Sequence, residues 1–562
     1  MSRLGKKLEN IKESKKLQMD KTVENFMGGL NYELDPLETL KLIAASSIFG
    51  EPAYYRTGDN IKREKDYHTD MLIEDDCIMS DEYDGMSTTD IFTRAIDNAL
   101  DYNFEEVLKF AVYLRNEYLM RLNPQVIMVR ASIHPKRAEW SKANPGKFNE
   151  YQNSVMLRGD EPAVQLTYYL SINNGDKSNI PSILKRSIAN KLSSLSLYQI
   201  NKYKNYEIGM INATRLTHAH SPELDELMKT GTVKCEDNVA TWQQKRSIGC
   251  SWREILLTIS LGHMARLMNI RNIFTEIDDF DTCKEFMKSL KEGVPNGKLF
   301  PFRYESAYRA VKSAMINHRQ YILDSLEDCI DISIDNLPRL KGKTVCLSDN
   351  SGSAWGTFTC EYGTVKIANI DNLSSVIAAR CSDEGQVIKF GDDYKVFDVS
   401  HRNILAQAEA ISANRYDDVG GSTESGIWKF MDHIISNKIK YDNIFIYSDQ
   451  QAGTGKLYGT YEDRNGPNGY RTKYGSVCVN KDSIYINVYK LITIYREKVN
   501  PKVNVFSIQT AGYTDMVIPQ MAYRCAILTG WTGKEILYAA EYIKQWDEID
   551  NNKNNDSHNY LV

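Results

Sequence analysis

The chain has 562 residues, of which 42% are hydrophobic and 25% charged, and its 69 basic and 74 acidic side chains give a net charge of −5. This length predicts two or three domains of ordinary globular composition. The slight acidity excludes a generally basic nucleic-acid-binding protein, so nucleic-acid binding would need a local basic patch.

The targeting and redox features of the sequence point to a cytoplasmic protein. Residues 1–22 form a charged leader without an apolar core, which excludes a secretory signal peptide. No apolar run reaches about 18 residues, so the sequence predicts no membrane-spanning helix. The ten cysteines are scattered, without a C-x-x-C pair or zinc-ligand spacing. We therefore expect free thiols in a reducing cytosol.

Residues 23–335 carry helical periodicity, with apolar side chains three and four positions apart. Thr89 to Leu100, Phe104 to Leu119 and Trp252 to Met268 are clear examples. Polar or proline-containing breaks separate the helices into pairs. Paired helices over this length, with little strand signal, predict an α-solenoid of the HEAT or armadillo type.

The stretch from residue 185 to residue 220 is locally basic, with Glu207 as its one acidic residue. Lysine and arginine neutralise phosphates, and the interleaved Tyr203 and Tyr206 can stack on bases. The cations are Lys185, Arg186, Lys191, Lys202, Lys204 and Arg215, followed by His218 and His220. The same pattern also suits a solvated helix face, and His218 also suits a structural, hydrogen-bonded role.

From residue 336 to residue 545, β-branched strands alternate with helices, which predicts a doubly wound α/β sheet with helices on both faces. The expected strands are 344–347, 387–390 or 394–397, 443–447 and 502–508, and the expected helices are near 373–381, 426–436 and 483–499. Residues 546–562 are rich in Asp and Asn, and we expect a disordered tail there.

Three polar segments of this α/β part follow or precede predicted elements. Asp349, Ser351 and Ser353 form a D-x-S-x-S pattern after an apolar strand, Val419-Gly-Gly-Ser-Thr-Glu-Ser425 precedes a helix, and a later strand ends at Asp449. Ligand sites of open α/β sheets lie outside the carboxyl ends of the strands, and carboxylate and hydroxyl oxygens suit a hard divalent cation. Serine and aspartate are also common in turns, so a doubly wound domain without a metal remains an alternative.

Together the three segments resemble the metal-ion-dependent adhesion site of von Willebrand factor A-like domains. The resemblance implies that one Mg²⁺ or Mn²⁺ is surrounded by Asp349, Ser351, Ser353, Thr423 and Asp449. Ser422 offers a neighbouring hydroxyl, and Thr423 is preferred of the two.

Several segments of the helical part resemble the TROVE domain of the Ro autoantigen family. They are Ile180-Pro-Ser-Ile-Leu-Lys-Arg-Ser-Ile-Ala-Asn-Lys191, Tyr198-Gln-Ile-Asn-Lys-Tyr-Lys204, Ala213-Thr-Arg-Leu-Thr-His-Ala-His220, His263-Met-Ala-Arg-Leu-Met-Asn-Ile-Arg-Asn272 and Leu299-Phe-Pro-Phe-Arg-Tyr304. A TROVE ring of HEAT-like repeats followed by a von Willebrand factor A-like domain is the Ro architecture. The two resemblances therefore support each other and indicate a bacterial or phage-encoded member.

The Ro resemblance implies that the ring binds Y RNA or related small RNA on its outer surface and single-stranded RNA ends in a basic central hole. It carries over Lys202 and His218 as RNA contacts, whereas a basic residue that the family places shortly after the Lys-Tyr-Lys run is Tyr206 here. Arg266, Arg271 and Arg303 lie in resembling segments and are expected ring-lining groups. Each could instead cap a helix or pair with an acidic residue. In bacterial members, a ribonuclease such as polynucleotide phosphorylase is an expected partner.

The sequence lacks the common catalytic motifs G-x-S-x-G, Walker A and H-E-x-x-H. A metal-dependent nuclease would need a general base or a second metal, for which Asp417, Asp418 and Glu424 are the nearby candidates. Loop-capping or solvated roles suit the two aspartates better. We predict a monomeric, non-enzymatic protein that binds non-coding RNA but neither DNA nor membranes. The alternative is a metal-dependent protein-interaction scaffold without RNA binding.

Overall fold

The computed structural model describes most of the chain, with a helical first part and an α/β last part in the predicted order. The described residues are 22–24, 30–32, 35–46, 88–233, 240–360, 363–400, 403–421, 425–448, 456–458, 485–510, 518, 523–529 and 533–551. Among them, no helix has both the length and the apolar character needed to cross a bilayer.

Short α-helices make up the first part, after a small antiparallel pair of strands, β1 (Thr22–Glu24) and β2 (Leu30–Tyr32). In chain order, α1 to α18 are Pro36–Ser46, Thr88–Tyr102, Phe104–Asn116, Asn123–Ile133, Arg137–Ala143, Lys147–Val155, Glu161–Ile172, Ser182–Ser193, Leu197–Tyr203, Met210–Thr217, Pro222–Thr230, Trp242–Ser247, Trp252–Thr258, His263–Glu276, Phe280–Glu292, Val294–Gly297, Pro301–Lys312 and Arg319–Ser333.

Caps and prolines explain where many of these helices begin. Ser196, Thr241 and Ser251 each form a capping box with the Gln or Glu three residues later. Proline lies in the first turn of α4, α7, α11 and α17, where a helix leaves its N–H groups unpaired in any case. The predicted helix from Trp252 to Met268 is in fact two helices, α13 and α14, because the backbone is extended at Ile259.

A six-stranded sheet forms the centre of the last part. Its strands in chain order, together with two short hairpins, are β3 Leu340–Asp349, β4 Thr357–Cys360, β5 Gly363–Lys366, β6 Ser382–Phe390, β7 Tyr394–Asp398, β8 Asn443–Ser448, β9 Lys456–Tyr458, β10 Tyr485–Asn487, β11 Asn504–Gln509 and β12 Cys525–Thr529. The sheet order is β12-β11-β8-β3-β6-β7, and every neighbouring pair is parallel except β6 and β7. The chain therefore winds outward in both directions from β3, as the doubly wound prediction requires.

Helices cover both faces of this sheet. They are α19 Ile367–Arg380, α20 Ile404–Ser412, α21 Gly426–Ser436, α22 Val488–Lys498 and α23 Lys534–Asn551. One face packs its apolar side chains against α21 and α22. The opposite face packs against α19, α20 and α23, and its apolar core is continuous with that of the helical part.

The last helix corrects the predicted disordered tail at residues 546–562. Helix α23 continues to Asn551, and Trp546 is completely buried. Its ring lies 5.4 Å from that of Phe506 on β11 and 5.3 Å from that of Tyr542. The prediction is therefore wrong for residues 546–551, because apolar side chains at helical spacing lie among the Asp and Asn residues.

The α/β part contacts both early and late helices of the helical array. On the early side, Gln545 Nε2 donates a hydrogen bond of 2.9 Å to the Tyr118 hydroxyl, and the rings of Tyr118 and Tyr538 lie 5.4 Å apart. On the late side, Lys312 Nζ lies 2.9 Å from Glu409 Oε1. The α/β part thus connects the two ends of the array.

Asp331 of α18 caps helix α20 from across this junction. Its carboxylate accepts the N–H of Asn403 at 3.1 Å and that of Ile404 at 3.4 Å. We expect Asp331→Ala to lower the free energy of unfolding in urea by about 0.5–2 kcal/mol, as loss of a capping side chain does. Asp324→Ala, on an exposed position of the same helix, is the control, and equal losses in both variants would contradict the capping role.

Candidate metal site and candidate nucleic-acid interface

Asp349 ends the central strand β3 and is completely buried. Its Oδ1 accepts the N–H of Ser351 at 2.8 Å, and its Oδ2 accepts the hydroxyl of Ser448 at 2.6 Å. The hydroxyl oxygens of Ser351 and Ser353 lie 3.2 Å apart. The fold therefore gathers the three residues of the D-x-S-x-S pattern at the carboxyl end of one strand.

The D-x-S-x-S loop lies where the strand order of the sheet reverses. Strands β3 and β8 are neighbours, and Ser448 is the last residue of β8. Open α/β sheets bind ligands in the crevice at this reversal. Thr423 and Asp449, with the alternative Ser422, lie outside the described residues, so the structure places three of the five predicted ligands.

The described donor set fits a hard divalent cation. A carboxylate and two hydroxyls supply oxygen ligands of the kind that Mg²⁺ and Mn²⁺ prefer, and Mg²⁺ usually keeps several waters. Throughout the described residues, no group of three or more His, Cys, Asp or Glu side chains is placed to hold a metal ion. A site of this kind would therefore depend on hydroxyls and water around few carboxylates.

Buried hydrogen bonds link the D-x-S-x-S loop to helix α20. The hydroxyl of Ser348 and the side-chain amide of Asn350 donate to Asn372 Oδ1 at 2.7 and 2.8 Å. Asn372 Nδ2 donates in turn to the hydroxyl of Ser412 at 2.8 Å. Ser412 is the last residue of α20, the helix that Asp331 of the helical array caps. Hydrogen bonds therefore connect the strand that carries the D-x-S-x-S pattern, through α20, to the helical array.

Asp418, expected to be a solvated or loop-capping acid, is an exposed residue whose carboxylate pairs with two lysines. Its Oδ1 lies 2.7 Å from Lys389 Nζ and its Oδ2 lies 3.2 Å from Lys395 Nζ. Burial would raise the pKa of Asp418, but the two lysines outweigh burial and lower the pKa, so the carboxylate stays ionised at neutral pH. Asp418 is therefore poorly suited to act as a general base. Asp417 is exposed, and Glu424 lies outside the described residues.

The predicted cations of residues 185–220 lie on or directly after helices α8, α9 and α10, which share one apolar cluster. Arg186, Lys202, Arg215 and His218 are exposed, and Lys185, Lys191 and Lys204 are partly exposed. His218 ends α10 with a φ of 57°, the left-handed conformation that terminates many helices. It therefore has a backbone role, whether or not its ring contacts a ligand.

The fold brings two arginines beside Lys202 that the sequence analysis missed. Arg121 and Arg158 both bind the buried carboxylate of Asp160, with nitrogen–oxygen distances of 2.8 and 3.0 Å. Arg158 also donates to the Tyr203 hydroxyl at 3.1 Å. Lys202 Nζ lies 5.2 Å from the centre of the Tyr203 ring, so one ring contacts cations from two separate segments.

Exposed aromatic side chains lie among these cations. Lys202 Nζ lies 5.6 Å from the centre of the Tyr198 ring, and Tyr198 is exposed. Tyr206 is exposed as well. The pKa of Tyr206 is raised, mainly by burial, and the positive charges of Arg121 and Arg158 partly oppose this rise. We name this group the Arg–Tyr cluster, and its members are Arg121, Arg158, Tyr198, Lys202, Tyr203 and Tyr206.

The remaining predicted cations belong to other helices. Arg266 and Arg271 lie on α14 and Arg303 on α17, and these two helices pack on each other. Arg266 Nε donates to the carbonyl of Leu261 at 2.9 Å, in the turn before α14. Arg271 is exposed and Arg303 partly exposed. The predicted cations thus fall into two groups of helices.

A helical-repeat array joined to a doubly wound α/β unit is the class of protein that this fold defines. The same architecture occurs in the Ro (Rsr) protein of Deinococcus radiodurans, whose crystal structure matches with a TM-score of 0.55 over 80% of this chain and 93% of that chain. The identity is 12%, so the likeness establishes the shared fold and confirms the predicted Ro architecture. No family model and no curated protein sequence matches the chain.

Proposed function

We propose that the chain is an RNA-binding protein of the Ro type that acts in RNA quality control or processing. Small structured, Y-like RNA would bind the outer surface of the helical array, and single-stranded RNA ends would enter a basic hole. The protein would work in the cytoplasm as a monomer without catalysis of its own. A 3′-to-5′ exoribonuclease such as polynucleotide phosphorylase would be a partner that processes the bound RNA.

The Arg–Tyr cluster is the observation that supports RNA binding most directly. Asp160 binds two guanidinium groups and so already restricts both arginine side chains. These side chains therefore lose less conformational entropy on contact with a ligand than unrestrained arginines would. Their remaining N–H groups and the Lys202 ammonium can neutralise phosphates, while Tyr198 and Tyr206 can stack on bases. Cations interleaved with aromatic rings are the usual surface for single-stranded nucleic acid.

The Arg–Tyr cluster also compensates for the basic residue of the Ro family that is replaced by Tyr206 in this chain. The resemblance places a basic residue there, and the neighbouring Arg121 and Arg158 supply positive charge beside Tyr206 instead. We infer that a phosphate contact is kept at this place by residues from other segments, with a tyrosine added for stacking.

The α/β part would hold one Mg²⁺ or Mn²⁺ at Asp349, Ser351 and Ser353, with Thr423 and Asp449 as the further predicted ligands. When bound, the cation would supply positive charge and open coordination positions. The buried Asp349 carboxylate, fixed by Ser351 and Ser448, would hold that charge at the crevice of the sheet.

RNA binding is tested with the double variant Arg158→Gln and Lys202→Gln. Arg121 keeps the Asp160 carboxylate paired in this variant, so the fold should be retained. We expect weaker binding of a small structured RNA with a single-stranded 3′ tail. The slope of log affinity against log salt concentration should flatten by about 1.4, or roughly 0.7 for each lost contact to a single strand.

The matched control removes the same number of charges from exposed positions on α15, with Lys284→Gln and Lys288→Gln. We expect this variant to bind RNA almost as the wild type does. Wild-type binding that does not respond to salt, or equal loss in both variants, would contradict RNA binding by the cluster. The protein-interaction scaffold would then become the better explanation of the fold.

A further inference from the structure

Lys389 is a lysine almost completely enclosed in the α/β part. It lies near the end of β6, in register with Ser348 of β3, and its side chain is 1% exposed. A buried ammonium is costly unless a partner of opposite charge meets it. That partner is Asp418, at 2.7 Å, whose own side chain is 18% exposed.

Asp418 fixes the start of a short segment, residues 418–421, that packs against the turn after β6. The N–H of Asp393 donates to the carbonyl of Val419 at 2.7 Å, and that of Asp392 donates to the carbonyl of Gly420 at 3.3 Å. Gly420 has a φ of +80°, and a Cβ on Gly391 would lie 1.9 Å from the Gly420 carbonyl oxygen. The segment and the turn therefore fit together only in this close arrangement.

The same segment contacts the D-x-S-x-S loop directly. The N–H of Gly352, which lies between Ser351 and Ser353, donates to the carbonyl of Gly421 at 3.0 Å. A Cβ on Gly352 would lie 2.6 Å from that oxygen, so no side chain fits between the two backbones. The position of Gly421 therefore fixes the position of the loop that bears the two hydroxyls.

We infer that the ion pair of Lys389 and Asp418 is a positioning element of the candidate metal site. It holds residues 418–421 against Gly352 and so keeps the hydroxyls of Ser351 and Ser353 beside the Asp349 carboxylate. The pair is neutral as a whole, so it fixes the geometry without adding net charge next to a cation. This inference rests on the proposed metal site.

The test measures Mn²⁺ affinity of the full chain by electron paramagnetic resonance of the free ion. Lys389→Met should weaken Mn²⁺ binding by about 10-fold or more, the effect typical of residues that support metal ligands. Lys395→Met is the matched control, because this lysine binds the same carboxylate but its side chain is 49% exposed. We expect the control to change the affinity by less than about twofold, as for an exposed ion pair.

A double variant, Lys389→Met with Asp418→Asn, separates positioning from stability because it leaves no unpaired buried charge. Its thermal stability without metal should recover toward the wild type, while its Mn²⁺ affinity should stay low. Recovery of both quantities together would overturn the positioning role, as would wild-type affinity in Lys389→Met. If Asp349→Asn leaves Mn²⁺ binding unchanged, the proposed metal site is wrong. If Asp349→Asn loses Mn²⁺ binding but Lys389→Met does not, the metal site stands and only the positioning role is wrong.

Discussion

Asp349→Asn should abolish divalent-cation binding while leaving the fold intact. Asparagine keeps an oxygen that accepts the Ser351 N–H, and its amide can donate to the Ser448 hydroxyl, so both buried hydrogen bonds have a replacement. The negative charge that meets the cation is lost, however. The loss of affinity should exceed about 100-fold, the upper end of what supporting residues produce.

Titration of the wild type and the variant with Mn²⁺ measures the loss of affinity, and calorimetry repeats the measurement with Mg²⁺. Circular dichroism checks the fold. Asp417→Asn is the matched control, because Asp417 is an exposed acid that precedes the segment contacting the D-x-S-x-S loop. It removes the same charge from an exposed position beside that segment. Equal weakening in both variants would mean that the cation responds to general surface charge, and the assignment of Asp349 as a ligand would be wrong.

The elements that the sequence predicted best are those with a strong local pattern. Helix α21 was predicted near residues 426–436 and spans Gly426–Ser436, because its buried apolar side chains repeat at helical spacing. Strand β3 was predicted as 344–347 but extends over Leu340–Asp349. The prediction was too short because Lys341, Gly342 and Lys343 interrupt the apolar pattern after Leu340. The D-x-S-x-S pattern was found because all of its members lie within five consecutive residues.

Features that depend on residues far apart in the chain were not predicted from the sequence. Arg121, Arg158 and Lys202 lie on different segments. Nothing in the sequence around Asp160 indicates that its carboxylate binds both arginines. One signal was available, since Arg121 and Arg158 each precede a helix with proline in its first turn. Lys389 looked like an ordinary strand lysine, because its burial and its partner Asp418 appear only once the sheet is assembled.

Trp546→Ala should be among the most destabilising single substitutions in the α/β part. The side chain is completely buried, stacks on Phe506 and contacts the tilted ring of Tyr542. Truncating a buried tryptophan to alanine costs about 3–5 kcal/mol, since apolar contacts are lost and a cavity remains. Chemical denaturation followed by far-ultraviolet circular dichroism measures the effect.

The size of this loss decides whether residues 546–551 belong to the folded core or to a tail. Trp546→Phe is the matched control, because phenylalanine keeps the stacking and the indole N–H has no hydrogen-bond partner among the described residues. We expect it to retain most of the stability. Since α23 covers one face of the sheet and reaches Tyr118 of the helical array, loss of Trp546 should also loosen the junction between the two parts. An unchanged unfolding transition in Trp546→Ala would instead support the tail that the composition predicted.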